Sequence, residues 1–90
     1  MKIMEDFEVR MNVETFESLI ESFKEKIKVK DLRKALNDLL AIYVIGSEIL
    51  ERVGKMYEEE KVSYSEYINF VNYVRRSMRE MKELFIRCFI

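Results

Sequence analysis

Phe7-Glu8-Val9-Arg10-Met11-Asn12-Val13 is the stretch on which the fold of this 90-residue chain turns. Its apolar residues alternate with polar ones, the two-residue period of a half-buried strand. Val9 and Val13 also lie at helical steps from Phe16, Ile20, Phe23 and Ile27, which puts Phe7 and Met11 on the opposite side. The two readings give different molecules. A strand at 7–13 leaves a first helix of residues 14–28, roughly 22 Å long at 1.5 Å per residue. A single helix over 3–28 is long enough to cover a hairpin made by the rest of the chain.

Downstream the pattern is helical. Residues 14–28 carry the stripe Phe16, Leu19, Ile20, Phe23 and Ile27, with Glu14 and Glu17 in a first turn that favours anions and Asn12 as its cap. Residues 31–59 make a second helix capped by Asp31. There Leu32, Leu36, Leu39, Tyr43, Gly46, Leu50, Val53 and Tyr57 alternate by four and three, and a flanking ladder, Ala35, Ile42, Ile49 and Met56, repeats every seven. The apolar run 39–45 predicts a helix centre buried all round. Gly46 in the seam predicts close helix approach, and Gly54 a bend or an early end.

Residues 60–62 form a turn. Ser63 then caps a third helix, 63–88, with Glu66 reaching back to complete a capping box. Its stripe is Tyr64, Tyr67, Val71, Val74, Met78, Met81, Phe85 and Cys88, in which Met78 to Cys88 reads as internal core. No Pro and only two Gly interrupt the chain, which fits an all-α protein. The expected architecture is one domain over 1–90, a long antiparallel helical hairpin packed with a shorter N-terminal helix as a three-helix bundle.

Length then bears on function. The two hairpin helices are each roughly 40 Å long, so a 15-residue first helix would leave a strip uncovered. That strip holds Ile45, Ile49, Val53, Met56 and Tyr57 with Tyr64, Tyr67, Ile68 and Val71. An exposed apolar strip marks an interface, so these residues are expected to mediate a homodimer or to bind another helical protein. The long first helix would instead give a monomeric bundle.

Chemistry is narrowed by composition. There is no His, so Ser-His and Cys-His nucleophiles, histidine metal sites and Glu-x-x-His di-iron sites are excluded. Cys88 is the only cysteine and sits on an apolar stripe, which reads as packing; its position near the end also admits an intermolecular disulfide. The carboxylates, Glu5-Asp6-Glu8, Glu14/Glu17/Glu21 and Glu58-Glu59-Glu60, fall on polar faces or in a turn. Gly46 and Gly54 form no phosphate loop. The chain is expected to be a non-enzyme with no metal and no cofactor, acting as an adaptor, assembly factor or regulator.

The longest apolar run has seven residues, against the roughly 18 needed for a membrane span. The acidic start precedes any apolar signal core, so a cytoplasmic location without a membrane partner is expected. Phe85, Ile86, Phe89 and Ile90 with Arg87 make an apolar end whose expected role is docking on the first helix.

Net charge is −1, yet charge is unevenly spread. Residues 24–34 hold six basic residues, including Lys28, Lys30, Arg33 and Lys34, against Glu25 and Asp31. Arg75, Arg76, Arg79 and Lys82 form a second basic group on helix three. Residues 35–60 hold six acids against two bases. A short alternating strand, a helix, a basic turn (Lys26-Ile27-Lys28-Val29-Lys30) and a second helix containing Ala35-Leu36 together resemble the ribbon-helix-helix DNA-binding family. The resemblance implies paired strands in the major groove and a phosphate at the start of the second helix. Glu8, Arg10 and Asn12 would then face DNA, with Lys28 or Lys30 near the backbone. The usual turn Gly is missing, the turn is short, and Glu8 would present an acid to DNA. Nucleic-acid binding is therefore the second reading, with self-association first.

Overall fold

The computed structural model describes residues 2–88 as a 3-10 turn, Ile3–Glu5, and three α-helices: α1, Phe7–Lys28; α2, Leu32–Glu58; and α3, Tyr64–Arg87. Phe89 and Ile90, placed by sequence at an apolar end, lie outside the described residues. No strand occurs among the described residues.

Residues 7–13 are the first two turns of α1, which corrects the strand expectation. The reason is local. Asp6, not Asn12, is the cap, and its side chain accepts a hydrogen bond from the Val9 N–H at 3.0 Å. A cap of this kind satisfies a donor that the helix start would leave open. Val9 and Val13 then join Phe16 and Phe23 in the core, at most 5% exposed. Phe7 and Met11 remain on the outside.

Asp31 and Ser63 cap α2 and α3 as expected, accepting from the N–H groups of Lys34 and Glu66. Glu66 does not reach back to Ser63. Its Oε1 accepts from the Ile3 N–H at 2.7 Å, tying the chain start to α3 and seating Ile3 in the core.

Both inter-helix turns are built alike. Lys30 and Glu60 each have φ of 59°, a left-handed conformation that usually selects glycine. In each, the following N–H returns to the helix: Asp31 N to Lys26 O and Lys61 N to Met56 O, both 2.9 Å. The pair with Lys30 N to Ile27 O and Glu60 N to Tyr57 O completes the Schellman pattern. This pattern stops α1 and α2 without glycine.

The helices alternate in direction within a body of 44 × 22 × 15 Å. α2 is central, packing along both neighbours, whereas α1 and α3 meet sparingly. The buried line of α2 runs Ala35, Leu39, Ile42, Gly46, Ile49, Val53 and Met56. It joins the ladder read from sequence as a flank, Ala35, Ile42, Ile49 and Met56, to Leu39, Gly46 and Val53 of the expected seam, because α2 faces two helices rather than one. Gly46 serves close approach, as expected: a Cβ there would fall 2.6 Å from Met78 Sδ. Gly54 neither bends nor ends α2, and nothing lies within 4 Å of where its Cβ would be.

Two polar clamps fix α1 to α2. Near one end Asp38 accepts from Ser22 Oγ at 2.7 Å and Lys26 Nζ at 2.8 Å. Near the other, Arg52 meets Asp6 at 2.7 Å and Glu8 at 3.4 Å. The Arg52 hydrogen bond, with the Val9 N–H, holds the Asp6 carboxyl below its ordinary pKa. Burial alone would raise Asp38, but hydrogen bonds from Lys26 and Ser22 outweigh it and hold that carboxyl low too.

Candidate interaction surface

The full-length α1 decides where the sequence-expected interface lies. Ile49, Val53 and Met56 are completely buried and Val71 is 3% exposed, all within this chain's own core. Ile45, Tyr67 and Ile68 are half-buried. Only Tyr57 and Tyr64 of that strip remain exposed, around a ring stack in which Tyr57 and Tyr67 lie 4.5 Å apart. The strip was expected on the premise of a short first helix. The long one covers most of it.

The basic residues are not brought together either. Arg10 lies at the start of α1, its guanidinium 5.6 Å from the Phe7 ring centroid. Asn12, two residues on and on another side of the helix, is half-buried. Lys28 and Lys30 are at the far end of α1, about 27 Å away along an eighteen-residue rise. Lys28 and Lys34 make loose exposed pairs with Glu25 and Asp31, at 4.0 and 3.9 Å, and Arg33 makes no ion pair among the described residues. Without a strand at 7–13, the ribbon that carried the ribbon-helix-helix resemblance is gone.

What the structure exposes instead is the back of α2. Leu36, Leu40 and Val44 succeed one another at four-residue steps, 41%, 58% and 58% exposed. Residues so spaced lie on one side of a helix. This corrects the expectation that 39–45 is buried all round and that Leu36 belongs to the seam. Sequence held the signal: the row lies away from the Ala35–Ile42–Ile49–Met56 ladder, and choosing that ladder as the core would have left it outside. Exposed polar residues continue the face at both ends, Arg33 and Asn37 before it and Ser47, Glu48 and Glu51 after.

A second exposed apolar row, Met4, Phe7 and Met11 at 41%, 67% and 45%, lies at the start of α1. The parting of α1 and α3 opens a cleft of about 630 Å³ lined by Glu14, Glu17, Glu21, Lys24, Tyr73 and Glu80, among others. The Tyr73 hydroxyl donates to Glu17 Oε2 at 2.9 Å, and burial, then this carboxylate, raises the phenol pKa. Cys88 is exposed rather than core, its Sγ 3.5 Å from the Leu84 carbonyl oxygen, at a surface groove shared with Ile27, Lys30 and Leu32. Ile86 and Val29 are also exposed at this end. Among the described residues no group of three or more metal-ligating side chains converges, and no helix is long and apolar enough to cross a membrane.

The fold and surface together define a three-helix bundle with exposed apolar rows on the back of α2 and at the start of α1. Comparison with family models, with curated proteins and with solved structures gives no match.

Proposed function

We propose that this protein acts without catalysis, by helix-to-helix association through the outer face of α2, as an adaptor, assembly factor or regulator. The observation that carries the reading is the Leu36–Leu40–Val44 row. Single exposed apolar residues are ordinary on protein surfaces, but a contiguous row is characteristic of contact sites. Two such rows meeting at a helix–helix distance of 8–10 Å would remove Leu40 and Val44 from water and partly cover Leu36. Self-association is the simplest form, since the face is present on every copy.

Sedimentation of the wild-type chain from micromolar to submillimolar concentration tests this, with Leu40→Glu and Tyr64→Ala alongside. The expected result is a concentration-dependent dimer that Leu40→Glu dissolves and Tyr64→Ala leaves nearly intact. A dimer indifferent to Leu40→Glu would reject this face.

A further inference from the structure

The exposed face of α2 is complementary to itself when reversed. Arg33 and Glu51 are eighteen residues apart, five full turns, so they leave α2 on the same side about 27 Å from each other. The midpoint of that span is position 42. Leu40 and Val44 straddle the same midpoint, and so do Asn37 and Ser47.

Place two copies of α2 face to face and antiparallel about that midpoint. Arg33 of each copy then meets Glu51 of the other, Asn37 lies level with Ser47, and Leu40 meets Val44, while Leu36 lies at the edge, level with Glu48. Place them parallel and Arg33 meets Arg33 while Glu51 meets Glu51. Opposed like charges disfavour that arrangement.

Surrounding charge points the same way. Residues 24–34 carry six bases against two acids, an excess of four positive charges. Residues 48–60 carry five acids against two bases, an excess of three negative charges. These groups occupy the two ends of α2, so antiparallel copies set each basic end beside an acidic one. Arg33 makes no ion pair in its own chain among the described residues, and Glu51 has only an exposed Lys55 at 3.7 Å. Both are free to exchange water for a partner.

We infer that α2 pairs with α2 of a second copy, antiparallel, about a two-fold axis level with position 42 and with an Arg33–Glu51 pair at each end. The inference rests on the proposed association through this face and adds its partner, direction and register. The pairing is isologous and closes at two copies. A strip one helix wide is smaller than the ~800 Å² per partner of a stable complex, so the dimer is weak and loosened by salt.

Charge reversal tests the direction. Arg33→Glu and Glu51→Arg should each raise the dimer dissociation constant on the order of tenfold at low salt, as two exposed pairs turn repulsive. Both reversals in one chain should restore wild-type dimerisation, because every Arg33–Glu51 contact is then simply inverted. In a Cys88→Ser background, a mixture of Arg33→Cys and Glu51→Cys chains should cross-link with a short bismaleimide as the mixed species. Cross-linking within each variant alone, or a double reversal no better than the singles, overturns the antiparallel register. If the dimer nevertheless dissolves with Leu40→Glu, the proposed association stands and only its geometry falls. A wild-type chain that stays monomeric at submillimolar concentration overturns both.

Discussion

Two glycines in one helix provide an internal control on packing. Gly46 and Gly54 both interrupt α2, and each should cost about 1 kcal/mol relative to alanine from backbone freedom alone. Their surroundings differ. A Cβ at Gly54 meets nothing within 4 Å, whereas at Gly46 it falls 2.6 Å from Sδ and 3.2 Å from Cγ and Cε of Met78. Met78 is 8% exposed and packed in the core, so its thioether has little room to retreat. Gly54→Ala should therefore stabilise by about 1 kcal/mol, a rise in Tm of roughly 4–8 °C for a domain of this size. Gly46→Ala should lose that gain to overpacking, which typically costs about 1–3 kcal/mol, for a net destabilisation of about 0–2 kcal/mol. Urea unfolding measured by circular dichroism reads both. The deciding step is a third background: with Met78→Ala in place, Gly46→Ala should become stabilising by about 1 kcal/mol, because its obstacle is gone. If Gly46→Ala stabilises the wild-type chain as much as Gly54→Ala does, the close approach of α2 and α3 is refuted.

Three further outcomes are expected of the same structure. Replacing the left-handed turn residues, Lys30→Gly or Glu60→Gly, should stabilise by about 1 kcal/mol each, since both relieve a non-glycine φ of 59°; thermal melts showing a loss would contradict the Schellman geometry. Asp6 and Asp38 have depressed pKa values, so the stability they add is complete above the ordinary carboxyl value of 3.8 and is lost as pH falls from there through their lower native values. Asp6→Asn with Asp38→Asn should flatten that acid limb in melts from pH 2 to 7, and an unchanged limb would exclude the two clamps as its cause. Phe23→Ala, at a fully buried site against the Phe85 ring, should cost about 3–5 kcal/mol, while Cys88→Ser at its exposed site should change stability by less than about 0.5 kcal/mol.

The helical class, the three helices and the two later caps were legible in sequence because they depend on local chemistry. Asp31 and Ser63 each stand just before an apolar stripe, and their carboxylate and hydroxyl find the N–H three residues on. Gly46 was legible for a similar reason, since a glycine within a heptad seam has few other uses. Partner choice was not local. Glu66 sits where a capping box places it, but an N–H sixty-three positions earlier takes its carboxylate. The α2 register failed for a related reason. Two apolar ladders overlap there, and only the number of packed neighbours selects between them. With α1 and α3 both on α2, the Ala35–Met56 line faces inward, while Leu36 and Leu40 turn out.

The first thirteen residues therefore act at a distance. Beginning α1 at Phe7 rather than at residue 14 adds seven helical residues, about 10 Å of rod. That length carries Val9 and Val13 into the core cluster that also holds Ile49, Val53 and Met56, so the hairpin's acidic end is sealed within one chain. Once it is sealed, only Tyr57 and Tyr64 of that strip stay exposed. One apolar row, Leu36, Leu40 and Val44, lies where a third neighbour of α2 would sit. A central helix packed by two others keeps one side free, and here that side carries leucine and valine between opposite charges. The same residues that close the bundle leave the back of α2 as a side that no other helix of this chain covers. Shortening α1 from within, for example with Val13→Pro, should reopen the original strip by breaking the first turns, since Val13 lies beyond the first turn and proline inside a helix costs about 3 kcal/mol or more. The variant should expose Ile49 and Val53, read as faster amide exchange across 45–57 while the Leu36–Val44 segment keeps its wild-type protection. Uniform loss of protection along α2 would instead mean that α1 and α2 unfold together, and that the N-terminal turns do not guard that strip separately.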